Sequence, residues 1–171
     1  MCCYFVLVKE NVNIVWFKRD LRIHDNVALH EAVLTGLPTI PLYVVEPEYW
    51  QQPFASRRHW NFIHDCLSEL FTDCSNLGQP LITRVGKMVE ILNAFHSDYN
   101  IKGIFAHEES GNGWTYSRDR KVIEWCKNQD ISYHEYPSNG VVRHLKKRDD
   151  WSRIRNARMA KPLVEKPKKL K

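Results

Sequence analysis

Val12-Asn13-Ile14-Val15-Trp16-Phe17-Lys18-Arg19-Asp20-Leu21-Arg22-Ile23-His24-Asp25-Asn26-Val27-Ala28-Leu29 is the stretch whose reading decides the fold. Its opening, about Asn13 to Phe17, is a short run of β-branched and aromatic residues that suits a buried strand, and its end begins a helix at Asp25 or Asn26. Between them lies the charged turn Lys18 to Arg22. A strand that passes through a polar turn into a helix is the first unit of a parallel α/β sheet, with the turn on the edge where ligands bind.

Outward from this unit the pattern repeats. Leu29, Ala32 and Val33 share a helix face that Gly36 and Pro38 end. Thr39 to Val45 is a second apolar run, and its Pro41 belongs in the strand's first half or at an unpaired edge. Ser56 caps a helix with Trp60, Ile63, His64, Leu67, Leu70 and Phe71 at helical spacing. Pro80 to Val85 reads as a third strand, and a helix from Gly86 or Lys87 carries Met88, Ile91, Leu92, Phe95 and Tyr99 inward. Gly103 to His107 is a fourth strand. A helix over Thr115 to Gln129 turns Val122, Ile123 and Cys126 inward before a fifth strand, Ile131 to Tyr136. Parallel strands need crossover connections, so the alternation predicts a three-layer α/β sandwich: a five-stranded, Rossmann-like parallel sheet with helices on both faces.

The 171 residues are enough for one domain with a real core. Residues 1–11 read as an irregular extension, without a cationic start or cleavage site and far too short to span a bilayer. Five Cys, an odd number with no C-x-x-C pair, argue against a disulfide framework or zinc site and for a reduced, cytoplasmic setting. The net charge of +5 mildly favours polyanions, though much of the excess sits near the C-terminal end. Residues 141–171, rich in Lys and Arg and interrupted by Pro162 and Pro167, read as an extended basic linker capable of weak, salt-sensitive attraction to nucleic acid.

Trp16-Phe17-Lys18-Arg19-Asp20-Leu21-Arg22-Ile23-His24-Asp25-Asn26 closely resembles the opening motif of the DNA photolyase and cryptochrome family. The resemblance continues through Ser56 to Leu70, Glu108 to Asp119 and Asn139 to Trp151. It implies a photolyase-type α/β domain over residues 12–140 and the strand order 3-2-1-4-5, which puts the switch point between the first and fourth strands. It further implies that the helical domain that holds FAD and the damaged base pair would follow Lys171, so that the chain is not catalytic alone. The helical flavin domain and, through the full-length protein, damaged DNA are the partners it implies; no membrane is involved.

Two sets of residues stand out as candidates. Arg19, Asp20, Arg22, Asp25 and Asn26 either offer guanidinium forks to a carboxylate or phosphate or form a self-satisfied network that pins the turn; the resemblance favours framework. The turn His107-Glu108-Glu109-Ser110-Gly111-Asn112-Gly113-Trp114 sets acidic groups, an amide and a ring at a strand's carboxyl end, where a flat heterocycle could be held, unless it merely caps the next helix. In the family this turn helps hold an antenna chromophore, here a folate, deazaflavin or flavin mononucleotide. The contacts so implied are Val45, Glu46, Arg58, His107, Glu108, Glu109 and Asn112. Arg57 and Arg58 stand where cations are disfavoured, at a helix N-terminus, and need Glu46 or a ligand anion.

Nothing proposes catalysis by side chains of this chain. His59 and His64 are five apart, no H-E-x-x-H or Walker loop occurs, Gly111-Asn112-Gly113 lacks a third glycine, and no G-x-S-x-G appears. The expectation is an antenna-binding domain of a deoxyribodipyrimidine photolyase or photolyase-like cryptochrome. The alternatives are a stand-alone nucleotide-binding or signalling module of the same fold and a structural fragment that awaits a helical partner.

Overall fold

The computed structural model describes residues 8–143 and 145–171. Of the expected N-terminal extension, residues 1–7 lie outside that range. Strand β1 is Asn11–Phe17, α1 Val27–Leu34, β2 Thr39–Val45, α2 Pro47–Trp50, α3 Arg57–Asn76, β3 Ile82–Val85, α4 Met88–Asp98, β4 Asn100–His107, α5 Gly113–Asn128, β5 Ser132–Tyr136 and α6 Trp151–Met159. The strands form one sheet in the order β3-β2-β1-β4-β5, with every pairing parallel.

Alternation along β1 builds both cores at once, because successive side chains point to opposite faces of a strand. Val12, Ile14 and Trp16 meet Met88, Leu92 and Phe95 of α4 and Val122, Trp125 and Cys126 of α5. Val15 and Phe17 meet Ala28, Leu29 and Ala32 of α1 and Leu67, Leu70 and Cys74 of α3. The sandwich of three layers follows from that split. Pro41 stands opposite Val15, and β2 begins to pair with β3 only at Leu42, so the missing N–H falls in the first half of the strand, ahead of the β3 ladder.

The structure corrects three expectations. Ile123 and Phe71 are 42% and 51% exposed. On α5 the buried arc runs through Val122, Trp125 and Cys126, and on α3 through Leu67, Leu70 and Cys74, which leaves the two residues on the flanks. His64 is likewise exposed.

The third correction concerns residues 141–171, expected as an extended linker. They contain a short 3-10 turn at Arg148–Asp150 and then α6. No residue of α6 is buried. The helix is held by reach rather than by an apolar face: Trp151 Nε1 donates to the Gly140 carbonyl at 3.2 Å and Arg158 to the Val141 carbonyl at 2.6 Å. Residues 160–171 then run back over the domain as a strap. Asp25 N donates to Val164 O, Leu170 N to Leu77 O and Thr39 N to Lys171 O. Leu170 is 1% exposed within the α1/α3 core. Gly78 permits this passage: its φ is +108°, and a Cβ there would stand 2.9 Å from the Leu170 carbonyl oxygen.

Candidate functional site

The carboxyl ends of β1, β2 and β4 meet at one rim. There the turn after β1 is fixed by a buried pair, His107 Nδ1 to Asp20 Oδ2 at 2.5 Å, which ties β1 to the end of β4. Asp20 also accepts Lys18 N and Asn26 Nδ2. Asn26 caps α1 by accepting Leu29 N, and Arg22 donates to the carbonyls of His24 and Asp25. The motif residues are therefore largely satisfied by one another, which is the framework role.

Burial alone would raise the Asp20 carboxyl, but the His107 hydrogen bond and charge outweigh it, and the pKa sits below its ordinary 3.8. A carboxyl that is more acidic in the folded state adds stability above its unfolded pKa and loses it as pH falls through the depressed folded value. The stability margin of the wild-type chain over Asp20→Asn, read from urea midpoints, is therefore present above about pH 4 and shrinks below it. A margin independent of pH down to the acid transition would contradict this role for Asp20.

Beside the pair lies a charged crevice centred on Arg118 of α5. Its guanidinium binds Glu46 at 3.1 Å, Asp119 at 2.8 Å and Glu109 at 2.5 Å. It lies 4.8 Å from the centre of the Trp16 ring and 5.7 Å from that of Trp114. Lys18 binds Asp119 at 3.0 Å, and Arg19 reaches Glu109 at 3.2 Å. Burial disfavours the Arg118 cation, yet the charges of Asp119, Glu109 and Glu46 more than reverse this and hold its pKa above the ordinary value. At Glu46 the balance is reversed: burial outweighs Arg118 and raises the carboxyl pKa. Burial and the neighbouring Tyr49 push the Tyr43 phenol up to about 12.

Of the expected contacts, Glu46 and Glu109 share this crevice through Arg118. Glu46 also accepts Met88 N at the start of α4, and Asn112 is the N-cap of α5, in a capping box with Thr115. Glu108 turns outward to Arg143 and Arg158, both at 3.9 Å. Arg58 is exposed, with no side-chain hydrogen bond or ion pair among the described residues, whereas Arg57 lines a groove with Val45. The carboxylate of Glu46, a suggested partner for these arginines, belongs to Arg118 instead.

Sequence reading missed Arg118 and the aromatic rim. Arg118 sits in the run Arg118-Asp119-Arg120-Lys121, which looks like a solvated face. The signal was the spacing Thr115, Asp119, Val122, Cys126, a buried stripe that carries polar residues toward the strand ends. Along the rim, Trp114, Tyr49, Trp50 and Trp60 follow one another edge to face with ring centres 5.1–5.4 Å apart.

The two spaces at this rim differ. The crevice over Trp16 and Arg118 is about 70 Å³, small beside the roughly 300–1,000 Å³ of ligand pockets. The adjoining groove is open, about 580 Å³, and is walled by Val45, Trp50, Ser56, Arg57 and Trp60. Among the described residues no helix is long and apolar enough to cross a membrane, and no group of three or more His, Cys, Asp or Glu is placed to hold a metal ion.

Comparison with known proteins bears on this geometry. A family model described as DNA photolyase matches residues 13–152. Cryptochrome DASH, chloroplastic/mitochondrial, of Solanum lycopersicum is 31% identical over 139 residues, which is 78% of this chain and 23% of that protein. Deoxyribodipyrimidine photo-lyase of Vibrio cholerae is 37% identical over 70 residues, 41% of this chain and 15% of that protein. The chain thus spans less than a quarter of the length of these relatives. A Synechocystis cryptochrome structure superposes with TM-score 0.80 at 20% identity, covering 95% of this chain and 37% of that one. A class III photolyase from Agrobacterium tumefaciens superposes with TM-score 0.78 at 20% identity, covering 99% and 36%. These two likenesses show the fold.

Proposed function

Since the chain belongs to the DNA photolyase family, we propose that it acts as the α/β light-collecting domain of a deoxyribodipyrimidine photolyase or photolyase-like cryptochrome and holds an antenna chromophore at the carboxyl end of β2. The rest of such a protein, a helical domain with FAD, is its partner, and damaged DNA is reached through that partner, in a reducing, cytoplasmic type of compartment. The observation that carries the antenna reading is the groove of Val45, Trp50, Ser56, Arg57 and Trp60.

Its fit to a pigment rests on size and chemistry. The crevice is filled by Arg118 and its carboxylates, so a folate, deazaflavin or flavin mononucleotide does not fit there as it stands. The groove has the volume, and the Trp50 and Trp60 rings meet at 78° to form a corner against which a flat heterocycle can lie. Arg57 offers a cation to the anionic tail that folates and flavin mononucleotide carry. When bound, the pigment supplies absorption of near-UV or blue light, and the residues of this chain orient it and exclude water.

Titration of the chain with flavin mononucleotide, a reduced folate and a deazaflavin, followed by absorbance and fluorescence, tests this. At least one binds, and Trp60→Ala weakens that binding by about tenfold or more, as expected for loss of one stacking wall. Failure of all three to bind removes the antenna role.

A further inference from the structure

On the other side of the His107–Asp20 pair, away from the groove, a second cavity of about 210 Å³ lies under the strap. Its floor is Arg22 and Asp25 of the turn after β1, His107 at the end of β4 and Tyr136 to Asn139 after β5, and its roof is Met159 and Lys161 to Val164. A neighbouring cavity of about 220 Å³ shares Arg22, His107, Ser138 and Asn139 with it. In doubly wound sheets this is the place where phosphate-bearing ligands meet the strand ends.

The polar groups that face the first cavity are mostly donors with capacity to spare. Arg22 spends Nε and one terminal nitrogen on the carbonyls of His24 and Asp25, and Arg158 spends one on Val141 O; a guanidinium carries five N–H groups, so each keeps others. Lys161 Nζ has no hydrogen bond or ion pair among the described residues. Asn139 uses its oxygen to accept Val141 N, which leaves its amide N–H groups. His107 is 2% exposed and lines both cavities, and while Nδ1 is bound to Asp20, Nε2 has no partner among the described residues.

The carboxylates nearby are already engaged. Asp25 Oδ1 accepts Val164 N at 3.2 Å, and Oδ2 lies 4.0 Å from Arg22. Glu108 faces Arg143 and Arg158, and Glu109 is held by Arg118 and Arg19. Asp25 also takes a left-handed backbone, φ 49°, which is uncommon outside glycine and is fixed by its two bonds to Val164.

We propose that this cavity is a site for a small phosphomonoester, of the size of glycerol phosphate, with the phosphate between Arg22, Arg158 and Lys161 and the short organic portion against Val27, Met159 and Val164. It is separate from the antenna groove and independent of that reading. The strap forms one wall, so the site exists only while Asp25 and Val164 remain paired.

Calorimetric titration of the whole chain with glycerol 3-phosphate, glycerol and inorganic phosphate, in wild type and in Lys161→Ala, tests it. Lys161 is exposed, so the variant keeps the fold. The expected result is binding of glycerol 3-phosphate, glycerol at least tenfold weaker, competition by inorganic phosphate, and a loss of about tenfold in glycerol 3-phosphate affinity in the variant, as for one charge-assisted hydrogen bond. Trp60→Ala leaves glycerol 3-phosphate binding unchanged, which separates this site from the groove. Equal binding of glycerol 3-phosphate and glycerol, no change in Lys161→Ala, or no binding of either phosphate compound overturns the proposal.

Discussion

Replacing Arg118 with Met lowers the stability of the folded chain by about 3–5 kcal/mol at pH 8, the usual cost of removing one partner from a buried ionic cluster. Methionine fills similar space, so the loss reports charge more than volume. Glu46, Glu109 and Asp119 are left facing one another, with side chains only 9%, 4% and 4% exposed. The loss also depends on pH. The Glu46 carboxyl is already raised by burial in the presence of Arg118, and without that cation it rises further. A carboxyl more basic in the folded state than in the unfolded one gains stability for the native state as pH falls through its folded pKa. The cost of Arg118→Met is therefore smaller at pH 5 than at pH 8. Urea unfolding at both values measures it, and a cost below about 1 kcal/mol, or one that grows on acidification, would show that the guanidinium is not what holds the crevice together.

The second large effect lies in the strap. Leu170→Ala costs about 2–5 kcal/mol, the range for emptying a fully buried leucine site. Leu170 lies in an irregular segment with no helix or strand of its own, where substitutions are commonly harmless. Here the side chain sits in the α1/α3 core and its backbone is bonded to Leu77. Chemical denaturation decides the matter, because a residue that merely rests on the surface shifts stability by less than about 0.5 kcal/mol.

These two residues also mark where sequence reading succeeds and where it stops. The strands and the helices α1, α3, α4 and α5 were legible because apolar spacing records which face is buried, and the alternation of strands with helices along the chain told of helices on both faces. The strand order came from the family resemblance, since periodicity carries no information about neighbours. Ile123 and Phe71 were misplaced because a stripe's edge residues differ from its centre by one step around the helix, a difference set by the curvature of the packed surface. Arg118 was illegible because a charge held by its neighbour Asp119, by Glu109 in the preceding turn and by the distant Glu46 looks like any surface charge. Likewise α6 and the strap have no apolar repeat: long side chains and backbone bonds to Asp25, Thr39 and Leu77 hold them, and such partners are fixed only by the fold. At the site, Glu46 and Glu109 were named separately, as antenna contacts at the ends of β2 and β4, while the groove's Trp50 and Trp60 were seen only as loop and helix residues.

The parallel order of the sheet has a further consequence for synthesis. β1 leaves the ribosome first and becomes the centre of the sheet, yet its partner on one side, β4, follows only after residues 18–99. Until then one edge of β1 can only wait, with Val12, Ile14 and Trp16 lacking the α5 residues that will cover them. The strap follows all five strands, and the carbonyl of Lys171 closes onto Thr39 at the start of β2. Pairings so distant in sequence slow folding and prolong the exposure of unpaired strand edges. A chain of this design therefore leaves strand edges unpaired for longer than a helical bundle of equal length, and the strap acts as the latch that closes the start of β2 once the sheet is laid down.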